Sequence, residues 1–316
     1  MKMLNYLIRR LLISIVTLIV ISMVLFGVLK IAPGDPLASF ANNPNVPLEV
    51  RARIRAQMGL DDPIPVQYGK WATEYAQGNW GRSFLSRAPA RDIVFDRISV
   101  TLKIVGSAYL LSILIAIPVG VISALKQYSA FDQVATTFSF LGFSLPTFFS
   151  GLVLIYIFSY RLDWLPFVYD SSTDGLWAQI KQSIMPVVVL GLAGSASLTR
   201  FIRASMLEVI NLDYVRTARA KGLREQSVVI VHAVRNAMIP VITIMALDIP
   251  TIFGGAIITE QIFRVPGVGS LLIESIGSAD HPVVLGITMG VAVLVVLFNI
   301  IADVVYALLD PRIKLA

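Results

Sequence analysis

Six apolar runs, each close to the length of a bilayer crossing, constrain this chain more than any other feature. They cover approximately Leu11–Leu29, Thr101–Leu125, Ala135–Tyr160, Ile184–Phe201, Asn236–Ile258 and Val283–Leu308. About 20 helical residues cross the hydrocarbon core of a bilayer. In lipid the backbone must satisfy its own N–H and C=O groups, which favours helices for such runs. The composition agrees. The chain is 56% hydrophobic and 15% charged, with a mean hydropathy of +0.76, whereas soluble domains carry about a quarter charged residues. The expected fold is an all-α membrane protein with six transmembrane helices. With no cysteine, disulfides and thiolate metal sites are excluded. Two histidines, His232 and His281, are too few for a histidine-rich metal site. The net charge of +6 is assigned to basic loops on the cytoplasmic face, and no nucleic acid partner is expected.

The first run follows Lys2, Arg9 and Arg10, the pattern of a signal peptide or a signal anchor. It is long enough to span, and the flank from Lys30 to Pro36 lacks a small-x-small cleavage site. A retained first helix is therefore expected, ended by Pro33 and Pro36. The chain divides into an N-terminus with this helix (1–32), an external segment (33–99) and a five-helix core (100–316). Within the external segment, Glu49–Met58 and Tyr68–Ala76 read as short helices, the second with Trp71 and Tyr75 on one face. Trp80 and Phe84 are apolar anchors in polar surroundings.

Six crossings place both termini on one side. The short-loop cations identify that side as the cytoplasm: Lys2, Arg9, Arg10, Lys126, Arg312, Lys314 and those of loop 203–235 oppose only Arg161, Lys181 and Arg264. Loop 203–235, between the fourth and fifth crossings, contains a short helix with legible ends, Asp213 to Gly222. Asp213 is the expected N-cap, Lys221 suits the negative end of the helix dipole, and Gly222 can take the left-handed conformation that stops a helix. Small residues at Gly191–Ser197, Gly286 and Gly290 favour close packing within the chain. Pro118, Pro146, Pro240 and Pro250 are potential kinks.

Motifs for enzymatic chemistry are absent: there is no Walker-A loop, H-E-x-x-H or G-x-S-x-G. Ionisable residues within the membrane are functional candidates by default. Asp248 is the central one, and its readings stay open between a polar translocation path, a basic partner group and a hydrogen bond to a neighbouring helix. Lys103 and Asp303 lie towards helix ends. One acid is little for ion coupling, and no repeat relates the two halves of the chain. A pore-like body without its own power source, carrying a capped basic helix, favours a transport subunit driven by a separate motor. An ATP-independent secondary transporter or channel is the alternative.

The stretch Asp213-Tyr-Val-Arg-Thr-Ala-Arg-Ala-Lys-Gly222 resembles the cytoplasmic E-A-A-x-x-x-G motif of binding-protein-dependent ABC importer permeases. Arg216, Thr217 and Ala218 stand at E-A-A, so only Ala218 and Gly222 keep the general pattern. The form is similar to the B-type permease of dipeptide, oligopeptide and nickel importers, with His232-Ala-Val-Arg-Asn-Ala-Met-Ile-Pro240 following. Pro33-Gly-Asp-Pro36, Gly59-Leu-Asp-Asp-Pro63, Gly78-Asn-Trp-Gly-Arg-Ser83 and Gly254-Gly-Ala-Ile-Ile-Thr-Glu260 extend the likeness over nearly the whole chain.

The resemblance implies an inner-membrane subunit paired with a C-type permease. It further implies two ABC ATPase subunits on the cytoplasmic side and a substrate-binding protein outside. ATP and Mg would bind the ATPases, and this chain would hold no cofactor and catalyse no reaction. Peptides lead the substrate classes implied; nickel complexes, glutathione and sugars are used by relatives. Asp213, Tyr214, Arg216, Thr217, Ala218, Arg219, Lys221 and Gly222 would form the ATPase-coupling helix, with Thr217, Ala218 and Ala220 allowing close seating and Leu223–Arg235 acting as a lever. Asp248, Pro250 and Glu260 are the candidates for the translocation path.

Overall fold

The computed structural model describes residues 2–31, 49, 61–170 and 172–309. They are helical throughout, apart from turns and one isolated bridge between Arg82 and Pro89. The helices are α1 (Lys2–Ile31), α2 (Ile64–Ala76), α3 (Ala90–Leu125), α4 (Ala130–Ser144), α5 (Thr147–Leu154), α6 (Leu176–Val209), α7 (Asp213–Ala220), α8 (Glu225–Ser227), α9 (Arg235–Ile262), α10 (Val268–Gly277) and α11 (His281–Leu309). Two wide π-helical stretches continue α5 over Ile155–Arg161 and join α8 to α9 over Val228–Val234. Among the described residues, five helical spans are long and apolar enough to cross a membrane, and a sixth is obtained if α4 and α5 count as one broken span.

Three expectations change here. The third apolar run is not one straight helix: α4 and α5 meet at 103° around Leu145 and Pro146. Proline without an N–H, and the extended conformation favoured at the residue before it, permit the break. Pro118 and Pro240 instead lie within continuous helix. The fifth span begins at Glu225, so most of the expected lever is the first part of that span. A further helix, α10, occupies what reads as an outer loop. Of the expected helix at Glu49–Met58, all but Glu49 lies outside the described residues.

The chain forms two compact units. The first comprises Met1–Leu7, Val100–Ser270 and Leu297–Ala316. Its core is built by α3, α6 and the α8–α9 span, through Ala116, Ala124, Leu198, Ile202, Met206, Ala233, Ala237 and Val241. Small residues set the spacing. A Cβ on Gly120 would stand 2.8 Å from Ile202 Cβ, and one on Gly194 would stand 2.6 Å from Ser112 Oγ. The Ser112 hydroxyl bonds the Gly191 carbonyl at 2.8 Å, so α3 and α6 join by backbone approach and a hydrogen bond. Asp132 and Arg203 tie α4 to α6, with Nε–Oδ1 at 2.6 Å and Nη2–Oδ2 at 2.8 Å.

The second unit comprises Ile8–Ser99 and Leu271–Val296. Pro65 lies in the first turn of α2, where a missing N–H does no harm. Tyr68, Trp71 and Tyr75 then recur at helical spacing. Their rings continue from Phe26 of α1 to Trp80 and Phe95, with Tyr75 and Trp80 stacked at 4.7 Å. Trp80 packs beside Gly286, while Gly290 faces Ile98, so the GxxxG pair serves packing inside the chain. Ser83 donates to the buried Asp280 carboxylate, which also accepts the Phe84 N–H at 3.0 Å.

Candidate functional site

Helix α7 lies between the fourth and fifth spans, and its ends follow from local chemistry. The N-cap is Leu212, whose backbone is extended, and no side chain caps the helix. Asp213 is thus the first helical residue and not the cap expected from its type. Its carboxylate still lies at the positive end of the helix dipole. It is fully exposed and 4.0 Å from Arg216 Nη1. The other end is as expected. Gly222 has φ +74°, its N–H reaches the Arg219 carbonyl at 2.9 Å, and the Leu223 N–H reaches back to Ala218 at 3.4 Å. This pair of bonds is the Schellman arrangement, which satisfies carbonyls that the helix leaves open.

Val215 and Ala218, three residues apart, share the inward face. They are 0% and 5% exposed, and pack with the fully buried Val228 and with Val209. Ala218 therefore provides close packing within the chain, not an outward seat. Tyr214, Arg216, Thr217, Arg219 and Lys221 are exposed. Partial burial pushes the Tyr214 phenol above its ordinary pKa. Arg219 is already engaged: its Nη2 meets Glu225 Oε1 at 2.8 Å, and its Nε lies 3.2 Å from both carboxylate oxygens. That hydrogen-bonded carboxylate raises the Arg219 pKa. Glu225 was missed as a site residue in the sequence; its signal is an acid just beyond the helix-stopping glycine, on the opening turn of the next helix. α7 is consequently fixed to the start of the fifth span by an apolar contact and by a paired charge.

The path candidates separate. Asp248 is half-buried on α9, one turn beyond Met245, whose carbonyl accepts the Tyr109 hydroxyl. Pro250 is in the same helix, and its side chain lies outside the described set. Glu260 is 1% exposed. Its carboxylate accepts the Gly269 N–H at 2.7 Å, the Ser270 N–H at 3.1 Å and the Thr101 hydroxyl at 2.5 Å. It caps the first turn of α10, where free N–H groups favour an anion.

The chain has counterparts among known proteins. Residues 116–315 match the family model described as binding-protein-dependent transport system inner membrane component, and residues 3–105 match the N-terminal model of such components. The chain is 42% identical over 313 residues to the oligopeptide transport system permease protein AppB of Bacillus subtilis, covering 98% of this chain and 99% of that one. It is 37% identical over 312 residues to the glutathione transport system permease protein GsiC of Salmonella choleraesuis, covering 99% of each. In the crystal structure of an amino acid ABC transporter with histidines, one chain shares the fold at a TM-score of 0.51 and 15% identity, covering 68% of this chain and 93% of that one.

Proposed function

Because the chain belongs to the binding-protein-dependent transport system inner membrane components, as a permease subunit of an ABC importer, we propose that it forms half of a peptide translocation path and is driven through α7. The peptide reading rests on relatives named for oligopeptide and glutathione transport. The partner set proposed is a C-type permease, two ABC ATPases that bind ATP and Mg, and a substrate-binding protein outside. Both termini and α7 face the cytoplasm, and residues 33–99 face outward, in keeping with the loop charges. Asp248 and Pro250, both on α9, are the residues assigned to the path. Glu260 is assigned to holding α10.

The carrying observation is the clamp on α7. A helix seated in an ATPase groove transmits motion only if it does not slide against its own membrane span. Val215 and Ala218 bury one face against Val228, and Arg219 holds Glu225. Each buried valine side chain contributes about 1.5–3 kcal/mol, whereas the ion pair is solvent-exposed and adds little. The apolar contact therefore dominates, and the ion pair sets direction. Tyr214, Arg216, Thr217 and Lys221 remain outward for the ATPase, with Tyr and Arg suited to anchoring roles. The test is ATP-driven peptide uptake by vesicles holding the full complex. Uptake should vanish without the ATPases, and Arg216→Glu should weaken ATPase co-purification while leaving membrane insertion intact. Undiminished uptake without ATPases would refute the importer reading; unchanged association would refute the role of α7.

A further inference from the structure

Arg200 is an arginine within the membrane-crossing part of α6 that the clamp does not use. Its guanidinium lies 4.5 Å from the centre of the Phe143 ring and 5.5 Å from that of Phe140, both on α4. Its Nε is buried without a hydrogen-bond partner. Among the described residues no carboxylate pairs with it; the acid on the facing helix, Asp132, is held by Arg203. Aromatic faces stabilise a cation but accept no directed hydrogen bond of carboxylate strength. The guanidinium is held against the two rings, and its Nε is left without a hydrogen-bond acceptor.

The direction of the side chain is informative. Asp132 marks the end of α4 nearest the turn before it, and Phe140 lies about 12 Å further along that helix. Arg203 reaches Asp132, while Arg200, one turn earlier in α6, reaches the rings instead. On the orientation proposed above, its guanidinium points away from the cytoplasmic headgroups and towards the membrane interior. An arginine that serves lipid phosphate extends the opposite way. Gly142 and Ala196 hold α4 and α6 close beside it: a Cβ on Gly142 would stand 3.0 Å from Ala196 Cβ.

We propose that Arg200, held against the Phe140 and Phe143 rings, is a carboxylate-binding site that receives the C-terminal carboxylate of a peptide during passage. This rests on the peptide-import reading. A planar guanidinium offers paired N–H donors that match a carboxylate, which neither a ring nor a lysine reproduces.

The experiment uses the full complex in vesicles, with trialanine and trialanine amide as probes. Variant uptake is divided by wild-type uptake for each probe, which cancels the preference of the binding protein. Arg200→Met should lower trialanine uptake by about tenfold or more, the loss expected for a charged hydrogen bond, and leave trialanine amide uptake unchanged. Arg200→Lys should show the same selective loss to a smaller degree, and it decides the matter if the methionine variant fails to assemble. Equal losses for both probes, no loss for either, or a loss seen only in vesicles containing phosphatidylglycerol and not in pure phosphatidylcholine would each overturn the site. All three leave peptide import standing. Wild-type uptake of neither probe would instead refute the peptide reading, and the carboxylate site with it.

Discussion

Replacing Gly222 tests whether transport depends on the end of α7 being held in one shape. The residue sits at φ +74°, and a Cβ placed there would have no group beyond its chain neighbours within 4 Å, so added volume meets open space. The penalty for alanine is then purely conformational, about 1–2 kcal/mol for an L-residue in the left-handed region. Asparagine tolerates that region and should cost less. Proline removes the Gly222 N–H that bonds Arg219 at 2.9 Å and requires φ near −65° (far from the observed value), so the Schellman end cannot form. The expected order of coupling is Gly, then Asn, then Ala, then Pro. A penalty of 1–2 kcal/mol corresponds to roughly five- to thirtyfold in the equilibrium for the closed helix end. The assay is peptide accumulated per ATP hydrolysed in vesicles, with insertion and ATPase content measured in parallel. Proline indistinguishable from glycine would refute the claim that this helix end must be closed. Alanine worse than proline would refute the conformational reasoning.

The Arg219–Glu225 pair should respond to charge reversal: Arg219→Glu lowers peptide uptake per ATP, and adding Glu225→Arg restores part of it, as a double-mutant cycle would register. Gly194→Val should reduce folded yield and thermal stability in detergent, because Ser112 already stands 2.6 Å from the first added carbon. Asp132→Asn leaves Arg203 without its charge partner and should destabilise the protein by an amount at or below the lower end of the ~3–5 kcal/mol range for buried pairs, since Arg203 retains some exposure; thermal unfolding in detergent reads this. Glu260→Gln weakens the cap on α10, with an expected loss of about 1–3 kcal/mol, also seen as a lower unfolding temperature.

The amino-acid sequence by itself determined the apolar spans, the existence of α7, its stop at Gly222 and the use of Gly191–Ser197, Gly286 and Gly290 for packing. These depend on local matters: the length of apolar runs, the backbone freedom of glycine and the size of side chains. The resemblance carried by residues 213–240 also pointed to the family that the comparisons establish. Only the tertiary structure decided which residues a side chain would meet. A carboxylate at a helix start looks like a cap, yet Asp213 lies one position too late and Leu212 takes that place. Ala218 looked outward-facing until Val228 was brought beside it, and the Arg219 guanidinium met its carboxylate only because the chain turned at Gly222 and delivered Glu225. Glu260 lies far in sequence from Thr101, so its shared hydrogen bond follows from packing and not from spacing. The angle at Pro146 was likewise undetermined, because a proline permits either a continuous helix, as Pro118 shows, or a break. Neighbouring helices select between them through contacts that no local pattern encodes.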